Sequence, residues 1–337
     1  MGRKPLSTGD SCYNSVMSAA LVHVAIAQAA PPMLDLAGCL DEVESLTKAA
    51  AADGAQLVVF PETWIPGYPV WIYGHAPWDG ARQKSAYARL LANAIEVPGP
   101  ATERLSRIAR QSRVQLHVGI HERDALSGGS LLNSLLSIDR DGVVLGCHRK
   151  LLPTQAERMV WGRGDGSTLN VYDTGLGRVG GLICWEHWMP LARMAMHSLR
   201  EQIHIAVWPD VGANALLASR HYAFEGRCYV IAAGSSLSIE EVPDDLKDES
   251  LLGTWNGQVA NDGLLLTGGS GVIGPDGEWV AGPAGSGEEI LHAVLDLGRL
   301  AGEFQHFDAV GHYNRPDVFS FSVDRTPQRA VEWRGPA

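Results

Sequence analysis

Three side chains in this 337-residue chain stand where they could support covalent hydrolysis: a cysteine, a carboxylate and a lysine, each at the end of an apolar run. Cys184 closes Val179-Gly180-Gly181-Leu182-Ile183 and precedes Trp185-Glu186-His187-Trp188-Met189-Pro190. Pro190 fits the first turn of a helix, so the thiol falls at a strand-to-helix turn. The positive end of a helix dipole lowers a cysteine pKa and favours the nucleophilic thiolate. The glycines permit close packing beneath it. Read alone, the segment fits an inert core thiol equally well.

Glu62 follows the apolar run Gln56-Leu57-Val58-Val59-Phe60 and Pro61, at what should be the C-terminal edge of a strand, where α/β proteins place ligands. Walled by Trp64, Pro66, Tyr68 and Trp71, its carboxyl should have a raised pKa through desolvation and could act as a general base. Lys150 lies between the strand-like Cys147-His148-Arg149 and Leu151-Leu152-Pro153. It reads either as a solvated strand end or as a half-buried ammonium needing a carboxylate, with Glu62 and Glu157 as candidates. A cation beside a thiol would stabilise both thiolate and a developing anion.

Other chemistries lack their motifs. Neither Gly234-Ser235-Ser236 nor Gly269-Ser270-Gly271 completes the G-x-S-x-G of a serine hydrolase. The run Gly162-Arg163-Gly164-Asp165-Gly166 has no following lysine to make a phosphate loop, and H-E-x-x-H is absent. His117 and His121 share one face of a strand and read as core or surface histidines. The five cysteines include no C-x-x-C pair and are too sparse for a disulfide framework. A formal charge of -11 argues against a nucleic-acid surface. No apolar run reaches the length of a membrane span, and residues 1–20 lack the apolar core of a secretory signal. The expected setting is cytoplasmic, with reduced thiols.

These residues need elements to position them. Hydrophobic spacing predicts a strand over 21–28, a helix over 35–53 and a buried strand over 56–60 that stops at Pro61. Helices at 80–95 and 102–113 lead to strands at 114–122, 130–139 and 143–147. The second half predicts strands at 168–173, 178–183, 203–208 and 229–233, helices at 189–199 and 215–226, and short strands at 271–273, 278–281 and 290–294. The acidic run 240–249 reads as a solvated loop or a lid, and the proline-containing tail after Tyr313 as a wrap over a surface or partner. One domain over 21–313 is expected, with a flexible segment 1–20 and a tail 314–337.

Taken in order, Phe60-Pro61-Glu62-Thr63-Trp64-Ile65-Pro66-Gly67-Tyr68-Pro69, His148-Arg149-Lys150-Leu151-Leu152-Pro153-Thr154 and Cys184-Trp185-Glu186-His187-Trp188-Met189-Pro190-Leu191 resemble the nitrilase superfamily, and within it the true nitrilase branch. The likeness continues through Glu157-Arg158 and residues 161–167, 221–227 and 311–317, so it covers roughly 22–323. It implies an α/β fold of the α-β-β-α sandwich type. It also implies Glu62 as general base, Lys150 as stabilising cation, Cys184 as nucleophile and Glu157 as the carboxylate that orients Lys150. No metal and no organic cofactor is implied. The expected reaction converts an organic nitrile and water to a carboxylic acid and ammonia through a cysteine thioimidate and thioester.

Trp185, Tyr68, Trp64 and His187 are the side chains expected against the substrate, and the nearby rings suggest arylacetonitriles or aliphatic nitriles. Cyanide hydration is the neighbouring alternative. An amidase or carbamoylase fits Trp185-Glu186 less well, and a silent scaffold fits the intact triad least. The resemblance also implies homo-oligomers built from dimers, extending to spirals or filaments.

Overall fold

The computed structural model of the chain describes residues 21–73, 80–247 and 263–328. The expected flexible segment 1–20 and the end of the tail, 329–337, lie outside the described residues. Strand β1 (Leu21–Gln28) leads to helix α1 (Leu36–Ala52), whose first turn is capped by the Asp35 side chain accepting from Gly38 N. Then come β2 (Leu57–Ile65), α2 (Ala81–Ala92), α3 (Pro100–Ser112), β3 (Gln115–Arg123), β4 (Leu131–Ile138), β5 (Val144–Arg149) and the short β6 (Trp161–Gly162). The second half holds β7 (Val171–Thr174), β8 (Gly177–Ile183), α4 (Pro190–Ser198), β9 (Ile203–Val207), α5 (Ala213–Gly226) and β10 (Tyr229–Ala233). It ends with β11 (Ser236–Ser238), β12 (Leu264–Thr267), β13 (Gly271–Ile273), β14 (Trp279–Ala281), β15 (Glu289–Asp296) and a short α6 (Leu300–Glu303).

One sheet runs β15-β1-β2-β3-β4-β5, with β6 joined to β4, and the other runs β14-β13-β10-β9-β8-β7. In each, three parallel strands form the middle and antiparallel strands the edges. The period-two alternation of each strand divides the core. Ala25, Val58, Phe60, Leu116 and Val118 pack with Cys39, Leu40 and Val43 of α1 and Leu105 and Ile108 of α3. Val24, Ile26, Leu57 and Val59 instead belong to the cluster of Ile205 and Ile231, where β1 and β2 meet β9 and β10. Ala192 and Met196 of α4 and Ala218 and Tyr222 of α5 close the outer face of the second sheet. The layers are therefore α, β, β, α, as the resemblance implied. The paired glycines of β8 serve two sides of the second sheet. A Cβ on Gly181 would lie 2.7 Å from Leu135 of the facing sheet, and one on Gly180 would lie 2.8 Å from Met196 of α4.

Two local expectations change. β2 does not stop at Pro61 but continues to Ile65, with its pairing interrupted: Phe60 faces Val118 and the next partners are Ile65 and Ile120. Residues 61–64 thus oppose the single residue Gly119. Pro61 has no N–H to give to the ladder, so a bulge is tolerated there. A Cβ at Gly119 would collide with Pro61 O, the Glu62 carbonyl carbon and Thr63 N. The described part of the acidic run is also less loop-like than expected. Its Val242 and Leu246 are buried in a cluster with Trp71 and Leu90, while Glu240 and Asp244 face solvent. The rest of that run, 248–249, lies outside the described residues.

Gly119→Ala should therefore push the bulge off β3. The expected cost is about 1–3 kcal/mol of stability, read as a lower denaturation midpoint in urea. Any hydrolytic activity that depends on Glu62 should fall with it.

Candidate active site

A bulge within one strand and turns after two others, drawn from both sheets, bring four ionisable side chains together. Glu62 sits on the bulge of β2 and Lys150 directly follows β5. Glu157 lies on a single 3₁₀ turn, Gln155–Met159, whose N-terminus it closes by accepting from Thr154 N at 2.6 Å. Cys184 opens the 3₁₀ turn Cys184–Trp188 at the end of β8. The Lys150 ammonium donates to Glu62 Oε1 at 2.8 Å and to Glu157 Oε2 at 2.7 Å, with all three side chains essentially inaccessible to solvent. Cys184 Sγ and one carboxylate oxygen from each of Glu62 and Glu157 lie within 4.8 Å of one another. Thr63, Gln155 and Cys184 have φ of 43°, 46° and 53°. Each is a member of the group or lies within two residues of one. Non-glycine residues hold that left-handed conformation only where the surroundings over-determine it.

The charges explain the acidity of each group. Two carboxylates face one ammonium, so one negative charge is unbalanced. Burial raises the Glu62 carboxyl to about 7, with Lys150 pulling it down and Glu157 pushing it up. Burial works against the Lys150 ammonium, but Cys184, Glu62 and Glu157 hold its pKa well above the ordinary lysine value. Burial, followed by the Glu62 carboxylate, pushes the Cys184 thiol well up, against the pull of Lys150. This corrects the expectation of a dipole-lowered thiol. The single 3₁₀ turn after β8 contributes too little to offset burial beside two carboxylates, so the resting sulfur keeps its proton. The Glu62 carboxyl lies against that thiol, and its Oε2 has no other hydrogen-bond partner.

Of the four side chains expected against the substrate, Tyr68 and Trp185 remain candidates. Tyr68 donates from its hydroxyl to Glu157 Oε1 at 2.8 Å. Trp185 is half exposed beside Trp188. Trp64 is a correction: it is fully buried in the cluster under α1 and α3, edge-on to Phe60, and its indole N–H donates to Ala29 O. Trp64 keeps the parity of Val58 and Phe60, so it falls on their helix-facing side. His187 is a second correction, because both its ring nitrogens are engaged beneath Cys184, with Cys184 O and His204 Nε2.

Sequence reasoning missed two positioning residues. Asn133 of β4 donates to Glu62 Oε1 at 2.6 Å; a lone amide in the apolar run Leu131-Leu132-Asn133 was its signal. The buried Glu186 carboxylate accepts from Ile183 N at 2.7 Å, Leu151 N at 2.8 Å and His148 Nε2 at 3.0 Å. It therefore ties the residue before Cys184 to the residue after Lys150. Burial would raise its pKa, but His148 and the two backbone donors hold it below the usual carboxylate range. His117 and His121 are core histidines, bonded to Ser137 and Trp161 respectively.

Among the described residues the one set with metal-ligand geometry is Glu62, Glu157 and Cys184. The Lys150 ammonium already occupies the position between those carboxylates, and a divalent ion would have to displace it. A cavity of about 300 Å³ lies between α2 and Met159 and Val160, walled by Trp71, Ile72 and Tyr87, and Cys184 is not part of its lining.

Comparison with known proteins agrees in sequence and in fold. Residues 23–302 match the carbon-nitrogen hydrolase family model. An aliphatic nitrilase of Sinorhizobium fredii (strain HH103) is 40% identical over 93% of this chain and 98% of its own. A bifunctional nitrilase/nitrile hydratase of Nicotiana tabacum is 40% identical over 90% of this chain and 86% of its own. The crystal structure of the C. elegans NitFhit protein superposes with a TM-score of 0.70 at 19% identity, covering 93% of this chain and 70% of that one. That structural likeness speaks for the fold alone.

Replacing Glu186 with Gln puts an NH₂ group against one of three donors. The expected loss is about 1–3 kcal/mol in urea unfolding. Loss of hydrolytic activity should exceed what the unfolded fraction explains, because the clasp spans both strand ends.

Proposed function

The chain belongs to the carbon-nitrogen hydrolase family, and from that premise we propose that it hydrolyses organic nitriles to the carboxylic acid and ammonia, with Cys184 as nucleophile. The observation that carries the reading is the buried contact of Lys150 with Glu62 and Glu157 beside the Cys184 thiol. A nitrile carbon is a weak electrophile, and sulfur is the side-chain nucleophile best suited to it. As Sγ attacks, its proton passes to Glu62 and on to the nitrile nitrogen, leaving a neutral thioimidate. Glu62 then takes a proton from water, the oxygen adds to the same carbon, and the nitrogen receives that proton. Lys150 and backbone N–H groups of the Cys184 turn stabilise the resulting tetrahedral species. Loss of ammonia leaves a thioester, which a second water, again activated by Glu62, opens to the acid and the free thiol. Glu157 keeps Lys150 charged and aimed. The hydrogen bond from Tyr68 to Glu157 supports a place for that ring at the edge of the site.

Expulsion of the thiol from the tetrahedral species would release an amide instead, and the name of the tobacco relative supports that second product. Aliphatic nitriles and arylacetonitriles are the substrates we favour; the name of the Sinorhizobium relative supports the former and the half-exposed Trp185 a pocket for a substituent. We further read the chain as cytoplasmic and as a homo-oligomer built from dimers. The unpaired thiols of Cys39, Cys147, Cys184 and Cys228 support the first reading, and exposed Val318 and Phe319 on the tail support the second. No described helix is long and apolar enough to cross a membrane.

Ammonia release from phenylacetonitrile, benzonitrile, an aliphatic dinitrile and cyanide tests the assignment. Organic nitriles should turn over and cyanide should not; turnover of cyanide alone would replace the reading with cyanide hydration. Cys184→Ala should remove all release while keeping the wild-type circular dichroism. Glu62 must be ionised to accept the thiol proton. Its carboxyl lies at about 7, so kcat/KM should rise with pH through that value, and a flat profile from pH 5 to 9 would exclude Glu62 as the base.

A further inference from the structure

A second set of buried ionisable groups lies on the far side of Cys184 and takes no part in the reaction as described. The Cys184 carbonyl oxygen is 2.7 Å from His187 Nδ1, His187 Nε2 is 2.9 Å from His204 Nε2, and His204 Nδ1 is 2.8 Å from Glu201 Oε2. His187, His204 and Glu201 are all buried. The hydroxyl of Tyr222 donates to Glu201 Oε1, and His197 lies 3.6 Å from the same oxygen.

Counting protons along this line decides its charge. The carbonyl and the carboxylate only accept, so both Nδ1 atoms must carry hydrogen. The two Nε2 atoms cannot face each other as bare lone pairs at 2.9 Å, so one of them carries hydrogen as well. Two rings then hold three N–H groups, one more than two neutral imidazoles have. Burial would raise the Glu201 carboxyl, but the neighbouring His204 and His197 rings bring it down to about 2, and both its oxygens accept, from His204 Nδ1 and the Tyr222 hydroxyl, as an ionised carboxylate does. Burial first and the neighbouring His204 second push His187 well below the ordinary imidazole value, and His204 is the ring that faces the Glu201 carboxylate, at 2.8 Å, where a positive charge is balanced. The ring of Tyr222 stacks on His204 at 3.8 Å and that of Trp208 on His187 at 5.0 Å, presenting π-faces to the pair. Gly180 makes the approach possible, since a Cβ there would lie 2.5 Å from Glu201 Oε2.

We propose that the His187–His204 pair carries one positive charge, balanced by Glu201, and polarises the Cys184–Trp185 peptide so that its N–H binds the anion formed at the substrate carbon. The carbonyl that accepts from His187 belongs to the same peptide unit as Trp185 N–H. The first N–H groups of a helical turn have no acceptor within the turn, and Trp185 N–H is the one next after the nucleophile. The His204 charge, passed on through the His187 ring that donates to the carbonyl, strengthens the N–H as a donor. The same bond steadies Cys184 at its positive φ. His187 and His204 are therefore positioning residues. No histidine spacing in the sequence shows the pair, because 16 residues separate the rings and adjacent β8 and β9 bring them together.

The inference rests on Cys184 being the nucleophile, but its first test does not. Neutron diffraction from deuterium-exchanged wild-type crystals should show three deuterons on the two rings; two would overturn the proposal. Glu201→Gln is the second test, because the Gln amide can donate to His204 Nδ1. That leaves His204 neutral with its hydrogen on Nε2 and keeps every hydrogen bond while removing the charge. The folded variant should show two ring deuterons and lose about 10–100-fold in kcat with KM changed less than about threefold. Unchanged kcat in a folded variant would overturn the catalytic part. Should the variant not fold, the wild-type deuteron count still decides the charge. Failure of the nitrilase reading would look different: wild-type protein with three ring deuterons and no ammonia from any nitrile.

Discussion

An ammonium held between two carboxylates out of contact with water is the constraint around which this molecule is built. Withdrawing each ion from water costs several kcal/mol even after relaxation. Lys150, Glu62 and Glu157 recover that cost only through short, directed bonds among themselves and with Asn133, Tyr68 and Thr154 N. An apolar core at the same place would hold the sheets together at least as well. What the ions supply is chemical: one cation shared by two acids leaves Glu62 incompletely balanced, so it can both take and return a proton near neutrality.

That balance depends on backbone that would be unfavourable elsewhere. Glu62 reaches the site because Pro61 breaks the ladder and Gly119 leaves space for the bulge. Glu157 reaches it from a single turn, and Cys184 from a left-handed residue at the end of β8. Glu186 then locks two of these positions to each other by accepting from backbone on both sides of the sandwich. Rigid sheets beneath and strained turns above divide the work. The sheets fix distances, and the turns aim the atoms.

Much of the scaffold was legible because its signals are local. The run Leu21–Gln28, the Asp35 cap with its apolar stripe, and the glycine turn between β7 and β8 each carry their structure within a few residues. The grouping of Glu62, Lys150 and Cys184 was legible from residue type at strand ends and from the nitrilase resemblance. What could not be read was set by register and by contacts across sheets. Trp64 looked like a pocket wall because it is two residues from Glu62, yet it packs in the helix-facing core with Val58 and Phe60. The partners of Glu186, Asn133 and His187 lie on other strands, and nothing in a linear pattern names them.

The raised thiol reverses a common picture of an activated cysteine. A thiolate resting beside Glu62 and Glu157 would place a third negative charge against one lysine, and the fold does not supply a second cation within that cluster. In the mechanism we propose, the proton stays on sulfur until a substrate receives it through Glu62. Charge separation is then confined to the moment of attack, when the nitrile nitrogen accepts what the sulfur gives up. A site organised this way gains from being dry and closed, because water would stabilise the separated ions at rest as well as in the transition state. The burial of all four groups, costly to the fold, is what ties proton movement to the presence of a substrate.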